Sequence, residues 1–137
     1  MKKSVAGMLA GLAVAGMLLP GVALAGIGEE LTIAQTHALL AYRSGGRGDG
    51  SGAKPHLQHV LNCLVGPGGE GYNAAPPSMD PCASSGKGAL NDAANPAQKA
   101  KIVTAIAMVK KAFDIKEAPA MESAATDLAD AIGAAKE

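Results

Sequence analysis

Apolar residues recur with a helical period in four segments of this chain, and β-branched residues never alternate with polar ones over a useful length. The first predicted helix spans Ile33 to Arg43, and Thr32 with Gln35 matches a capping box at its start. Its predicted inward stripe is Ile33, His37, Leu40 and Ala41. A Gly-rich stretch from Ser44 to Ala53 follows, and we expect it to be a flexible loop.

The other three predicted helices lie further along the chain. Pro55, a residue type favoured in the first helical position, opens the second helix, which ends near Val65 before Gly-Pro-Gly-Gly. Asn95, Pro96 and Gln98 form the start signal of the third helix, which ends near Phe113. The fourth helix begins near Pro119. The predicted buried residues are Leu57, Val60, Leu61 and Leu64 in the second helix, Ile102, Val103, Ile106, Val109 and Phe113 in the third, and Met121, Ala125, Leu128 and Ile132 in the fourth.

One connection is much longer than the other two. Residues 66–94 are rich in Gly, Pro, Ala and Ser and show no apolar period, whereas typical connections have about 4–6 residues. Loops of this length are usually functional, tied down or disordered. The pattern therefore predicts an all-α fold, a small four-helix bundle of the up-down type with one long loop between its second and third helices.

The first 25 residues have the order of a cleavable secretion signal. Lys2 and Lys3 precede a short apolar run, and two small residues, Ala23 and Ala25, follow it. The apolar run is shorter than the ~20 residues that span a bilayer. We therefore expect cleavage after Ala25, a periplasmic location, and a single domain over residues 26–137 without a membrane span.

Composition excludes several classes of function. The chain has 12 basic and 12 acidic residues, and cleavage would remove two basic ones, which leaves a net charge of −2. Nucleic-acid affinity depends mainly on basic residues that neutralise phosphates, so we expect no nucleic-acid partner. No nucleophile-elbow motif and no identifiable pair of catalytic carboxylates appears, so we do not expect an enzyme.

The two cysteines of the chain, Cys63 and Cys82, are expected to form a disulfide in an oxidising compartment. This bond would tie the end of the second helix to the middle of the long loop. The alternative is that Cys63 is a thiolate metal ligand, since His59 and His56 precede it by four and seven residues on the same side of the helix.

The three histidines, His37, His56 and His59, all lie in the first predicted helical hairpin. His56 and His59 are three residues apart and project from one side of the second helix. With a rise of 1.5 Å per residue, His37 and His59 lie roughly 9 Å and 8 Å from the intervening turn. The three imidazoles are therefore expected at one level of the hairpin.

Three imidazoles at one level predict a transition-metal site with one open position, for copper or zinc. The long loop offers further donors for that position. Met79 would suit copper(I), whereas Asp80 or Glu70 would suit a harder ion.

Two other functions remain open from the sequence. The histidines would be structural if the chain were a cofactor-free interaction protein that packs against a periplasmic partner or its own copy. Non-covalent haem held by two histidines is a third possibility, because helical bundles host haem but no C-x-x-C-H attachment motif is present.

Overall fold

The computed structural model describes residues 22–75 and 79–137, and these residues form a bundle of four major helices with one short helix. The helices are α1 (Val22–Gly46), α2 (Gly50–Val65), α3 (Ala89–Asp92), α4 (Pro96–Ala112) and α5 (Ala118–Ala135). The predicted all-α bundle is confirmed. Most of the predicted signal segment, residues 1–21, lies outside the described residues. None of the described helices is both long and apolar enough to be a membrane-spanning segment.

Helix α1 lies between α2 and α5, and α4 packs against α5. The polar contacts fix the directions of these helices. Gln35 on α1 donates to the carbonyl of Ala129 on α5, while Gly45 at the other end of α1 approaches the main chain of Glu122. Gln98 at the start of α4 donates to the carbonyl of Ala135 at the end of α5. Both neighbouring pairs are therefore antiparallel, as the up-down prediction requires.

The core combines a few large aliphatic side chains with many alanines. The inward faces predicted for the second and fourth helices, which are α2 and α5, are confirmed, because all eight of their residues are buried. On α1 the stripe differs from the prediction: Leu31, Ala34, Ala38 and Ala41 are buried, whereas Ile33, His37 and Leu40 are partly exposed. The predicted third helix, which is α4, buries Ile102 and Val109, and Ile106 and Phe113 are partly buried against the core. Val103 is 52 % exposed, so the prediction for that residue was wrong. Small residues on the inward stripe let the axes approach closely, which moves larger ones to the flanks.

The capping box predicted at the start of the first helix was wrong. Thr32 lies inside α1, and its hydroxyl donates to the carbonyl of Gly28 in the preceding turn. Gln35 points to α5 instead of the main chain of Thr32. The helix begins earlier because Ile27 and Leu31 continue the buried stripe towards the N-terminus, and tertiary packing outweighs a local start signal.

The Gly-rich stretch was expected to be a flexible loop, and this prediction was also wrong. Only residues 47–49 connect α1 to α2, and the main-chain N–H groups of Gly48 and Asp49 donate to carbonyls in the last turn of α1. Asp49 then caps α2, since its carboxylate accepts from the N–H of Gly52 at 2.7 Å. Pro55 is thus inside the helix, where its missing N–H costs one main-chain hydrogen bond to Ser51.

The start of α4 follows the sequence more closely. Asn95 is its N-cap, with Oδ1 accepting from the N–H of Ala97, and Pro96 is its first residue. Gln98 does not complete a capping box, because its side chain reaches α5.

The long segment between α2 and α4 is fastened to the end of α2 at two points, Asn73 and Cys82. The predicted Cys63–Cys82 disulfide is present, with 5.2 Å between the two Cα atoms. Asn62, buried on α2, exchanges two hydrogen bonds with the main chain of Asn73, of 2.7 Å and 3.0 Å. The segment also forms α3, which the sequence did not predict. These contacts order a stretch that has little core of its own.

Candidate metal centre

The α1–α2 hairpin sets the positions of the three histidines. Gly48 marks the middle of the turn with φ +77°, and His37 and His59 lie eleven residues before and after it. The two helices rise equally from the turn, so these residues are at the same level. His56 lies one turn below His59 on the same side of α2. The buried face of α2 runs beside them, which leaves the imidazoles half-buried on the flank.

The imidazole nitrogens converge. His37 Nδ1 is 3.2 Å from His56 Nδ1 and 3.2 Å from His59 Nδ1. One donor nitrogen from each of the three histidines can be chosen so that all three lie within 4.8 Å of one another. A tetrahedral ion with metal–nitrogen distances of 2.0–2.1 Å separates its ligand nitrogens by about 3.3 Å. The three-histidine cluster could therefore hold one metal ion with little movement of the rings.

Hydrogen bonding among the rings is a poor substitute for such an ion. His37 Nδ1 meets two other Nδ1 atoms, yet a neutral imidazole nitrogen carries either one hydrogen or one lone pair. A single proton or lone pair must then serve both contacts, and neither contact reaches full strength. A cation placed between the three atoms would use all three lone pairs at once.

The surroundings favour the neutral form of two of these imidazoles, those of His37 and His56. Burial, and then the nearby His59 and His56, lower the pKa of His37 from 6.5 to about 4. Burial, and then His59, also lower the pKa of His56. Metal binding needs the unprotonated ring, so at neutral pH protons compete weakly for these two ligands.

The lowered pKa of His37 predicts a pH dependence of stability. Between pH 6.5 and about 4 the unfolded chain binds a proton at this residue and the folded chain does not, so metal-free protein is expected to lose stability as the pH falls through this window. Glu30 acts in the opposite direction, because burial raises its pKa from 4.5 to about 7. We therefore expect the difference in urea midpoint between wild type and His37→Gln to change in the variant's favour from pH 7 to pH 4. An unchanged difference would contradict the neutral state of His37.

The other predicted donors are placed differently. Glu70 pairs with Lys110 at 2.9 Å, and Asp80 accepts from the N–H of Cys82 and from the Tyr72 hydroxyl. Met79 is 65 % exposed, and neither acid belongs to the three-histidine cluster. The alternative in which Cys63 supplies a free thiolate was wrong, because Cys63 is bonded to Cys82.

Sequence reasoning missed the two polar residues whose side chains are fully buried, Glu30 and Asn62. Both residues lie in helices, next to buried apolar residues. A polar residue at a position of the inward stripe is the signal by which the sequence could have shown them. Asn62 fastens the long segment to α2. Glu30 lies on α1, two turns before His37.

Comparisons of the chain with protein-family models, with curated proteins and with solved structures found no match.

Proposed function

We propose that this chain is a periplasmic protein that binds one copper or zinc ion through His37, His56 and His59. The observation that carries the proposal is the convergence of three imidazole nitrogens from two helices, with two contacts of 3.2 Å. Three protein ligands leave one position of a tetrahedral ion open. That position is available to water or to a ligand from a partner, which suits delivery, storage or sensing of the ion. No catalytic role is part of the proposal.

The donor set supports copper or zinc over harder ions. Imidazole nitrogen is a borderline ligand that favours zinc, copper and nickel, whereas calcium and magnesium prefer oxygen. The protonation state also supports binding at neutral pH, since the pKa of both His37 and His56 is lowered. Copper(II) is expected to bind more tightly than zinc by the general order of divalent affinities.

The periplasmic location rests on two features of the chain. The first 25 residues have the pattern of a cleavable signal, and the Cys63–Cys82 disulfide is typical of an oxidising compartment. Mass spectrometry of the protein from a periplasmic fraction is expected to give Gly26 as its first residue. A mature chain that retains residues 1–25 would exclude the proposed cleavage.

Calorimetric titration with zinc and, separately, with copper(II) tests the metal site. We expect one ion per chain, and we expect His37→Ala to weaken binding by at least about 100-fold, because loss of a mere supporting partner already costs about 10–100-fold. Thr36→Ala is the matched control, since Thr36 neighbours His37 on α1 but is exposed and its hydroxyl donates within the helix. Equal binding by wild type and His37→Ala, or no binding by either, would reject the proposal.

A further inference from the structure

Glu30 on α1 is an acid whose side chain is fully buried, with 0 % of its surface exposed. Oε1 accepts from the main-chain N–H of Gly88 at 2.7 Å, but Oε2 is buried without a hydrogen-bond partner. An ionised carboxylate in such a place lacks the solvation that water gives it, whereas a neutral carboxylic acid costs much less to bury. The environment of Glu30 therefore favours a protonated side chain.

A second acid, Asp92 at the end of α3, lies against Glu30. Both side chains pack on Gly86, where a Cβ would be 2.6 Å from Glu30 Oε1 and closer still to Asp92 Oδ2. Asp92 Oδ2 also accepts from the main-chain N–H of Lys87 at 2.9 Å. The two carboxyl groups are within hydrogen-bonding reach of each other, and a hydrogen bond between two acids requires that one of them carries a proton.

The charged groups of the long segment do not neutralise this pair. Burial is the main cause that raises the pKa of Glu30 to about 7, and the negative charges of Asp92 and Asp80 add to it, whereas the N–H of Gly88 lowers it. Lys87 is exposed, and in the described ranges neither Glu30 nor Asp92 forms a salt bridge with a basic side chain. Two carboxyl groups in one place cannot both ionise cheaply, and one of them then keeps its proton.

Charged groups on the helices that pack against α1 lie at another level or in solvent. The last titratable residue on α2 is His59, and the rise per residue from the turn at Gly48 places it about 10 Å below Glu30 along the hairpin. Lys136 and Glu137, which follow α5, are both exposed.

The proposed cleavage after Ala25 would add one more charge, the α-ammonium group of Gly26. A Cβ on Gly26 would be 3.4 Å from Asp92 Oδ2, so this group lies on the side of Asp92. A nearby cation favours an ionised Asp92, which assigns the proton of the pair to Glu30.

We propose that Glu30 and Asp92 share one proton and form a pH-sensitive latch that holds residues 86–92 against α1. With the proton in place, Glu30 accepts from Gly88 and donates to Asp92, and the pair carries a single negative charge. Without the proton, two negative charges face each other in a buried place, and the contact between α1 and this segment weakens. Asp92 and Lys87 line a solvent-open cavity, so the proton can exchange with water through Asp92.

The raised pKa of Glu30 gives the direction of the effect. Between pH 4.5 and about 7 the folded chain binds a proton at Glu30 that the unfolded chain does not bind, so stability falls as the pH rises through this window. The contribution is complete below pH 4.5 and is lost above about pH 7.

Urea unfolding of the wild type and Glu30→Gln at pH 5 and pH 8 tests the latch. The amide keeps the acceptor for Gly88 and supplies an N–H to Asp92 at every pH, so the variant lacks this titration. The unfolding equilibrium constant of the wild type, divided by that of Glu30→Gln, is expected to rise at least about tenfold from pH 5 to pH 8. Glu29→Gln, the same change at the exposed neighbouring position, should follow the wild type. An equal pH dependence of the wild type and Glu30→Gln would overturn the proposal.

Two further measurements locate the proton and the movement. Infrared spectra at pH 6 should show the C=O stretch of a protonated carboxylic acid in the wild type and in Glu29→Gln, but not in Glu30→Gln. Hydrogen-exchange protection of the main-chain N–H groups of Lys87 and Gly88 should fall between pH 6 and pH 8 in the wild type and stay constant in Glu30→Gln. The infrared test needs only the wild type to show a fully ionised set of carboxylates at pH 6, which would also overturn the proposal if Glu30→Gln does not fold.

Discussion

Replacing Cys63 and Cys82 together by alanine is expected to lower the free energy of unfolding by about 3 kcal/mol, the chain-entropy value for a loop of this size. The disulfide joins residues that are 19 apart in sequence, and the unfolded chain gains the freedom of that ring when the bond is removed. Alanine is chosen because both cysteines are buried and a serine hydroxyl would need a partner. Urea unfolding followed by far-ultraviolet circular dichroism measures the change.

The same double variant separates the disulfide from the metal site. The histidines are positioned by packing of α1 against α2 and by the short turn at residues 47–49, and neither depends on the bond. Zinc affinity of the folded variant should therefore stay within about threefold of wild type, a difference of under 1 kcal/mol. A loss of less than about 1 kcal/mol in stability would show that the long segment is held by its other contacts.

Gly66→Ala is expected to be the other severe change, with a loss of about 3 kcal/mol or more. Gly66 is the C-cap of α2 with φ +69° and ψ 176°, a conformation that is essentially limited to glycine and costs another residue about 1–3 kcal/mol. A Cβ there would also overlap the main-chain carbonyl of Lys87, because the end of α2 and the approach to α3 meet main chain to main chain. The main chain would have to move apart, which adds to the cost.

Gly68→Ala provides the matched control for this prediction. Gly68 also has a positive φ, +83°, but nothing lies within 4 Å of its Cβ position. It should lose only the conformational part, roughly 1–2 kcal/mol. The difference between the two urea midpoints then measures the close contact at Gly66, and equal losses at both glycines would deny that the contact matters.

The sequence predicted the helices of this fold better than it predicted their ends. The apolar stripes predicted for the second and fourth helices, which are α2 and α5, have a regular helical period, and all of their residues are buried. Thr32 and Pro55 were misleading, because local start signals are worth about 1 kcal/mol and packing of neighbouring turns outweighs them. Helix α3 is too short to show a period, and its position depends on contacts distant in sequence.

The histidine cluster could be predicted although the predicted helix ends were wrong. Both α1 and α2 extend into the stretch that was expected to be a loop. The turn is therefore shorter than expected, but its midpoint is still near Gly48. The relative level of His37 and His59 depends on that midpoint alone. In contrast, the contact of Glu30 on α1 with the main chain of Gly88 joins residues that are distant in sequence, and no local pattern encodes that contact.

Zinc X-ray absorption of the loaded protein tests the convergence of the three imidazoles most directly. We expect three nitrogen ligands at about 2.0–2.1 Å with the outer-shell scattering of histidine rings, and a fourth light-atom ligand in the open position. His59→Ala should remove one ring from the fit. A zinc environment of oxygen ligands, or of a single histidine, would contradict the account.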